Sequence, residues 1–202
     1  MPLAISFELS DRDLEHFNQA IKAATFSAGS KSAEEVVSAA GKLLEEASSL
    51  ALPDFILERL DKLDALIAMV RDEGWALPDE DRQRVLSALV YFADPQDIIP
   101  DNVPVLGYFD DAIAIELCVR ELRHELDAYE EFCDFRQTES EHRGLSPSSV
   151  GRAEWLASRR DELQERMHRQ RTRDFGTGYG SSSGFAREGY TQAWRPGLLR
   201  VR

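Results

Sequence analysis

Apolar residues recur along this chain at intervals of three and four, the period of an amphipathic helix. Between residues 33 and 50 they are Val36, Ala40, Leu43, Ala47 and Leu50, and between 54 and 73 they are Ile56, Leu60, Leu63, Ile67 and Val70. Only Ala51, Leu52 and Pro53 separate the two segments, which predicts an antiparallel helical hairpin. Upstream, Ser10 ahead of Asp11, Arg12 and Asp13 predicts an N-capped helix over 11–27. Gly74 to Pro78 interrupts the pattern, and Asp79 is placed to cap a helix ending near Phe92, with Val85, Leu89 and Phe92 facing inward. A long helix is expected from Asp110 to Arg136, striped by Ile115, Cys118, Leu122, Leu126, Tyr129 and Cys133. His142–Ser149 reads as a linker, and a last helix over 150–173 carries a thinner stripe of Leu156, Leu163 and Met167. The fold class expected is all-α, a helical bundle followed by a basic extension.

The connection between the fourth and fifth predicted helices has a different character. Residues 91–111 read Tyr-Phe-Ala-Asp-Pro-Gln-Asp-Ile-Ile-Pro-Asp-Asn-Val-Pro-Val-Leu-Gly-Tyr-Phe-Asp-Asp. Pro95, Pro100 and Pro104 each remove a backbone donor and disfavour helix at the residue before them. Gly107 permits a left-handed turn. Asp97, Asp101 and Asp110 are placed to cap helix starts or short turns. Ile98, Ile99, Val103, Val105 and Leu106 are apolar anchors. Together they predict a rigid, sharply turned link between two core helices.

This stretch resembles the signature of the YkvA family, Pro-x-Asp-Leu-Ile-Pro-Asp-x-Ile-Pro-Val-Leu-Gly-Tyr-Leu-Asp-Asp. The matching positions are Pro95, Asp97, Ile99, Pro100, Asp101, Pro104, Val105, Leu106, Gly107, Tyr108, Asp110 and Asp111. Ile98, Val103 and Phe109 exchange one apolar residue for another. The resemblance covers about residues 83–120 and implies a small helical module of unestablished activity, some of whose members look membrane-associated. It implies a fold and no particular chemistry.

Five aspartates, Asp94, Asp97, Asp101, Asp110 and Asp111, fall within this short stretch. Three roles fit such a group. They can cap helices and turns. They can supply oxygen ligands to a hard cation such as Mg²⁺ or Ca²⁺. They can form a general acid/base pair whose environments split its pKa values. Capping accounts for most of them without any ligand, so no metal ligand is assigned and no cofactor is expected.

Charge divides the chain. The formal net charge is −13, which argues against a surface built wholly for nucleic acid. From His142 onward there are twelve arginines, no lysine and six acids, a net of about +6, so the preceding part carries about −19. Arg159, Arg160, Arg166, Arg169, Arg171 and Arg173 lead into a Gly/Ser-rich segment with Phe175, Tyr179, Phe185, Tyr190 and Trp194. Such a segment can grip an acidic protein, or the chain's own acidic body, by charge and stacking. Nucleic acid is the less favoured partner. A peripheral membrane contact through the 91–111 turn is disfavoured by its aspartates.

Each histidine follows an acid by three residues: Asp13/His16, Glu121/His124, Glu139/His142 and Glu165/His168. Glu-x-x-His is a di-iron ligand pair in helix bundles, but these pairs are spaced too widely to share a metal, and they read as exposed i,i+3 pairs. Cys118 and Cys133, fifteen residues apart, would be separated by roughly 22 Å of rise on one continuous helix, beyond disulfide reach. With no leader-like start and no long apolar run, the expected compartment is the cytoplasm.

The division expected is 1–82, N-terminal helices packing on the core; 83–141, the YkvA-like domain; and 142–202, a basic helix and a flexible tail. The function expected is a non-enzymatic interaction or regulatory module. The alternative is a metal-dependent or acid/base enzyme using the Asp94–Asp111 carboxylates.

Overall fold

The structure is a computed structural model that describes residues 8–27, 31–93, 99, 106–150 and 153–176. Those residues form seven α-helices: α1 (Asp11–Ser27), α2 (Ala33–Ser48), α3 (Asp54–Arg71), α4 (Asp79–Leu89), α5 (Phe109–Glu121), α6 (Arg123–His142) and α7 (Glu154–Gly176). Short 3-10 turns occupy Val90–Ala93, Leu106–Tyr108 and Pro147–Ser149, and there is no strand among the described residues. The all-α reading is the observed class.

The helix starts follow from local chemistry. The Ser10 hydroxyl accepts the Asp13 amide at 3.4 Å while the Asp13 carboxylate takes the Ser10 amide at 2.8 Å, a reciprocal cap that satisfies two amides with no partner inside the helix. Ser32 and Glu35 repeat the arrangement at the start of α2. At α4 the capping position belongs to Pro78, with no side-chain cap, so Asp79 is a first-turn acid and not the cap its position suggested. Gly144 ends α6 at φ +66, where a side chain is strained. Its amide bonds Glu141 O at 3.0 Å, and the Leu145 amide reaches back to Ser140 O at 2.8 Å.

The long helix expected over 110–136 is two helices. Leu122, at φ −101 and ψ 17, leaves helical geometry, and α6 sets off from it. The backbone ladder still bridges the bend, because Leu122 donates to Cys118 O and Leu126 donates to Leu122 O, each at 2.9 Å. Neither glycine nor proline marks this place in the sequence. Cys118 and Cys133 sit on the two different helices, and both are free thiols.

α3 packs along α5, and α6 packs along α7. The core runs from Val36 and Ala40 on α2 through Leu63 and Leu66 on α3 and Ile115 on α5 to Phe132 on α6 and Leu163 on α7. Trp75, in the turn after α3, is completely buried. Its ring lies 5.9 Å from Tyr129 and 5.1 Å from Phe132. Removing roughly 200 Å² of indole from water contributes on the order of 5 kcal/mol. Asp72 shapes the turn that places it. One carboxylate oxygen accepts the amides of Gly74 at 2.8 Å and Trp75 at 3.2 Å. The other accepts the Tyr129 hydroxyl at 3.0 Å and pairs with Arg136 at 2.7 Å. Gln164 on α7 closes the ring of contacts by donating to the Trp75 carbonyl at 2.8 Å.

Candidate functional site

Among the motif residues, Ile99, Gly107, Asp110 and Asp111 lie within the described part of the chain; Asp94, Pro95, Asp97, Pro100, Asp101 and Pro104 lie outside the described residues. Asp110 and Asp111 stand in the first turn of α5 and are both buried. Asp110 Oδ2 accepts the Ile99 amide at 3.0 Å and the Tyr91 hydroxyl at 3.4 Å. It therefore ties the connection to the end of α4 and the start of α5, turning a carboxylate toward backbone that an apolar interior would leave unsatisfied. Gly107 does not use the left-handed conformation that glycine permits. It lies buried inside the 3-10 turn Leu106–Tyr108, a conformation with negative φ. The positive-φ glycine among the described residues is Gly144.

The largest concentration of buried charge lies elsewhere, beneath α7. Asp81 on α4 and Glu125 on α6 are both fully buried. Arg171 of α7 enters between them, with Nη1 2.5 Å from Asp81 Oδ1 and 2.9 Å from Glu125 Oε1. Arg84 supports Glu125 from the α4 side at 3.2 Å and donates to the Glu121 carbonyl at 3.4 Å. His168 Nε2 lies 2.7 Å from Asp81 Oδ2. Burial works against the Arg171 charge, but the hydrogen bonds to Asp81 and Glu125 outweigh it and hold the guanidinium protonated. Glu125 Oε2 is buried with no hydrogen-bond partner.

Further pairs repeat the theme along α7. Arg159 and Arg166 both grip Glu131 on α6, Arg166 Nη1 also reaching Oε1 at 3.4 Å. The Arg166 hydrogen bond holds the Glu131 carboxyl below the ordinary glutamate range. Arg159 also lies over the Phe135 ring, 5.8 Å from its centre. At the far end, Asp174 receives Arg123 and, at 2.7 Å, His124. Burial pushes the Asp174 carboxyl up, and these hydrogen bonds more than offset it, so its pKa is lowered. Arg169, by contrast, pairs along its own helix, with Glu165 at 3.0 Å.

The histidines depart from the expected i,i+3 pattern. His124 and His168 pair across helices, with Asp174 and Asp81. Glu139 and His142 do form an i,i+3 pair, at 3.8 Å. Among the described residues no group of three or more histidine, cysteine or acidic side chains is arranged to hold a metal ion. Burial pushes the Cys118 thiol up to about 12, so it is a packed hydrophobe and not a nucleophile. Burial also raises the Glu121 carboxyl, with the Glu125 charge adding to the effect and Arg84 opposing it.

This arrangement fastens α7 to α4 and α6 through paired charges. Sequence reasoning singled out the arginines of α7 and missed the acids that hold them. A signal was there. Asp81 lies four residues before Val85, Glu125 four before Tyr129, and Arg171 four after Met167. Each is a charged residue that continues an apolar stripe, and such a residue is buried only with a partner.

A bundle of helices is the class that this geometry defines. Residues 84–117, from within α4 to within α5, match the family model described as a protein of unknown function, DUF1232. The match overlaps the segment that carries the family resemblance. No curated protein and no solved structure shows significant similarity to the chain. Among the described residues no helix is long and apolar enough to cross a membrane.

Proposed function

We propose that the protein is a non-enzymatic interaction module of the cytoplasm, and that α7 is the element through which partners act on it. The observation that carries this reading is the way α7 is held. Over 23 residues, its fully buried apolar side chains among the described residues are Leu156, Leu163 and Met167. Trp155 adds a partly buried ring, and much of the remaining attachment is polar: Arg159 and Arg166 pair with Glu131 and Arg171 pairs with Asp81 and Glu125, while His168 contacts Asp81 and Gln164 the Trp75 carbonyl. Paired charges give register and partner choice more readily than they give net stability. That is the balance expected of a recognition surface, whereas a purely structural helix would rest on a broader apolar face.

The Asp110 contacts support the same reading. A carboxylate that accepts the Ile99 amide and the Tyr91 hydroxyl is committed to holding the connection in place. The test is quantitative affinity purification of the intact protein, coupled to an activity screen of the same preparation. A partner retained in fixed stoichiometry by the intact chain and by the Asp111→Asn variant supports the module. A substrate turned over by the purified protein, with turnover lost in a still-folded Asp111→Asn variant, contradicts it.

A further inference from the structure

We propose that the groove between α4 and α6 is a binding surface for a basic amphipathic helix of a partner protein, and that α7 is the ligand in cis that occupies it. The inference deepens the interaction-module reading and rests on it. It adds the location of the surface and the chemistry of what it binds.

The groove specifies its occupant in some detail. Its charged points are Glu131 on α6, Glu125 six residues before it on the same helix, and Asp81 on α4. The apolar side chains that α7 buries completely are Leu156, Leu163 and Met167, and α6 is the helix it packs along. A helix that fits therefore presents apolar residues at steps of seven and four. It carries an arginine pair near its middle for Glu131 and an arginine one turn beyond the last apolar anchor for Asp81 and Glu125. This is helix-in-groove recognition, with apolar anchors for affinity and charges for register. The surface is acidic, with Asp81 and Glu125 fully buried, so an uncharged or acidic helix would leave Asp81 without an arginine and Glu125 with Arg84 alone, and is rejected.

The same chemistry makes α7 displaceable. Burying Asp81, Glu125 and Arg171 costs desolvation that their attraction only partly offsets, and Glu125 Oε2 remains without a partner while α7 is seated. Release of α7 returns water to all of these groups. The helix holds its place in cis because its tether gives it a high effective concentration. A partner helix that contacts the same acids without their present mismatch, for example by also satisfying Glu125 Oε2, competes with it.

The experiment uses the whole chain with a protease site inserted after Leu145, an exposed position between α6 and α7. A fluorescent synthetic peptide of residues 153–176 is the probe, read by anisotropy before and after cleavage. Before cleavage the peptide is excluded. After cleavage it exchanges with the resident fragment in one-to-one stoichiometry. In cleaved Glu131→Lys protein its affinity falls by about tenfold or more, as for a charge pair within an interface, and a peptide carrying Arg159→Glu and Arg166→Glu recovers that loss. Three results would overturn the proposal: no exchange after cleavage, binding unchanged by Glu131→Lys, or unfolding of α1–α6 when the fragment leaves, seen as helical circular dichroism lost beyond that of α7. None of these depends on a cellular partner, so this proposal can fail while the intact protein still retains one through another surface. Recovery of a substrate in the activity screen would instead remove the module reading itself.

Discussion

The guanidinium of Arg171 reaches Glu125 at 2.9 Å in a position where the carboxylate is wholly withdrawn from solvent. The two residues are 46 apart in the chain and belong to helices that the sequence presents as separate regions, one in the acidic body and one in the basic extension. Their pairing joins these regions. Removing Arg171 leaves two buried carboxylates: Glu125 keeps the Arg84 guanidinium and Asp81 keeps its contact with the His168 ring. Arg171→Ala is expected to destabilise the protein by about 3 kcal/mol or more. Arg169→Ala, which breaks an exposed pair with Glu165, is expected to cost less than about 0.5 kcal/mol. Urea unfolding of the two variants beside the wild type checks the contrast, and equal losses would remove it.

Asp110→Ala takes away the acceptor for the Ile99 amide and the Tyr91 hydroxyl. The expected loss is about 1–3 kcal/mol, the cost of leaving buried donors unsatisfied. Asp79→Ala, a first-turn acid of α4 that makes no cap, is expected to lose only a few tenths of a kcal/mol through the helix dipole. Thermal melts of both variants measure the difference.

Much of the fold was legible because hydrophobic period and capping residues are local. The start at Ser10, the hairpin of α2 and α3 and the buried stripe of α7 all followed from residues within a few positions of one another. The bend at Leu122 was not legible, since Glu121-Leu122-Arg123 holds neither glycine nor proline. Gly107 permits a left-handed turn and lies instead in a 3-10 turn, whereas Gly144, after the end of α6, takes the left-handed conformation. The partners of Arg159, Arg166 and Arg171 were not legible either. Periodicity assigns a residue to a face, but which acid faces it depends on how whole helices pack.

Gly144 gives a prediction that isolates backbone strain. A Cβ at this position meets nothing within 4 Å, and its φ is +66. Gly144→Ala is therefore expected to cost about 1–2 kcal/mol through conformation alone, and Gly144→Asn less, because asparagine tolerates the left-handed region better. Chemical denaturation of the pair tests this, and an alanine variant as stable as wild type would contradict it.

The acid response should separate two kinds of carboxylate. The Arg166 hydrogen bond lowers the pKa of Glu131 from 4.5, and Asp174 is lowered from 3.8 because hydrogen bonds from His124 and Arg123 outweigh its burial. A lowered folded pKa gives stability that is present above the unfolded value and is lost as pH falls through the folded one. The melting temperature should therefore decline as pH drops below about 4.5, and Glu131→Gln should flatten that decline. Glu121 behaves oppositely. Burial raises its pKa from 4.5, so its contribution is fully present below the unfolded value and is lost as pH rises through the folded one. Glu121→Gln is expected to raise the melting temperature at pH 7.5 and to bring no gain at pH 4.

α7 is fastened to the body by specific buried pairing between Arg171 and Asp81 on α4. A double-mutant cycle of Asp81→Asn and Arg171→Met, followed by chemical denaturation, measures that pairing. The two losses are expected to be strongly non-additive, with a coupling of about 1.5 kcal/mol or more between the residues. Losses that add to within about 0.5 kcal/mol would mean that Arg171 does not pair with Asp81 and that α7 is held by other contacts.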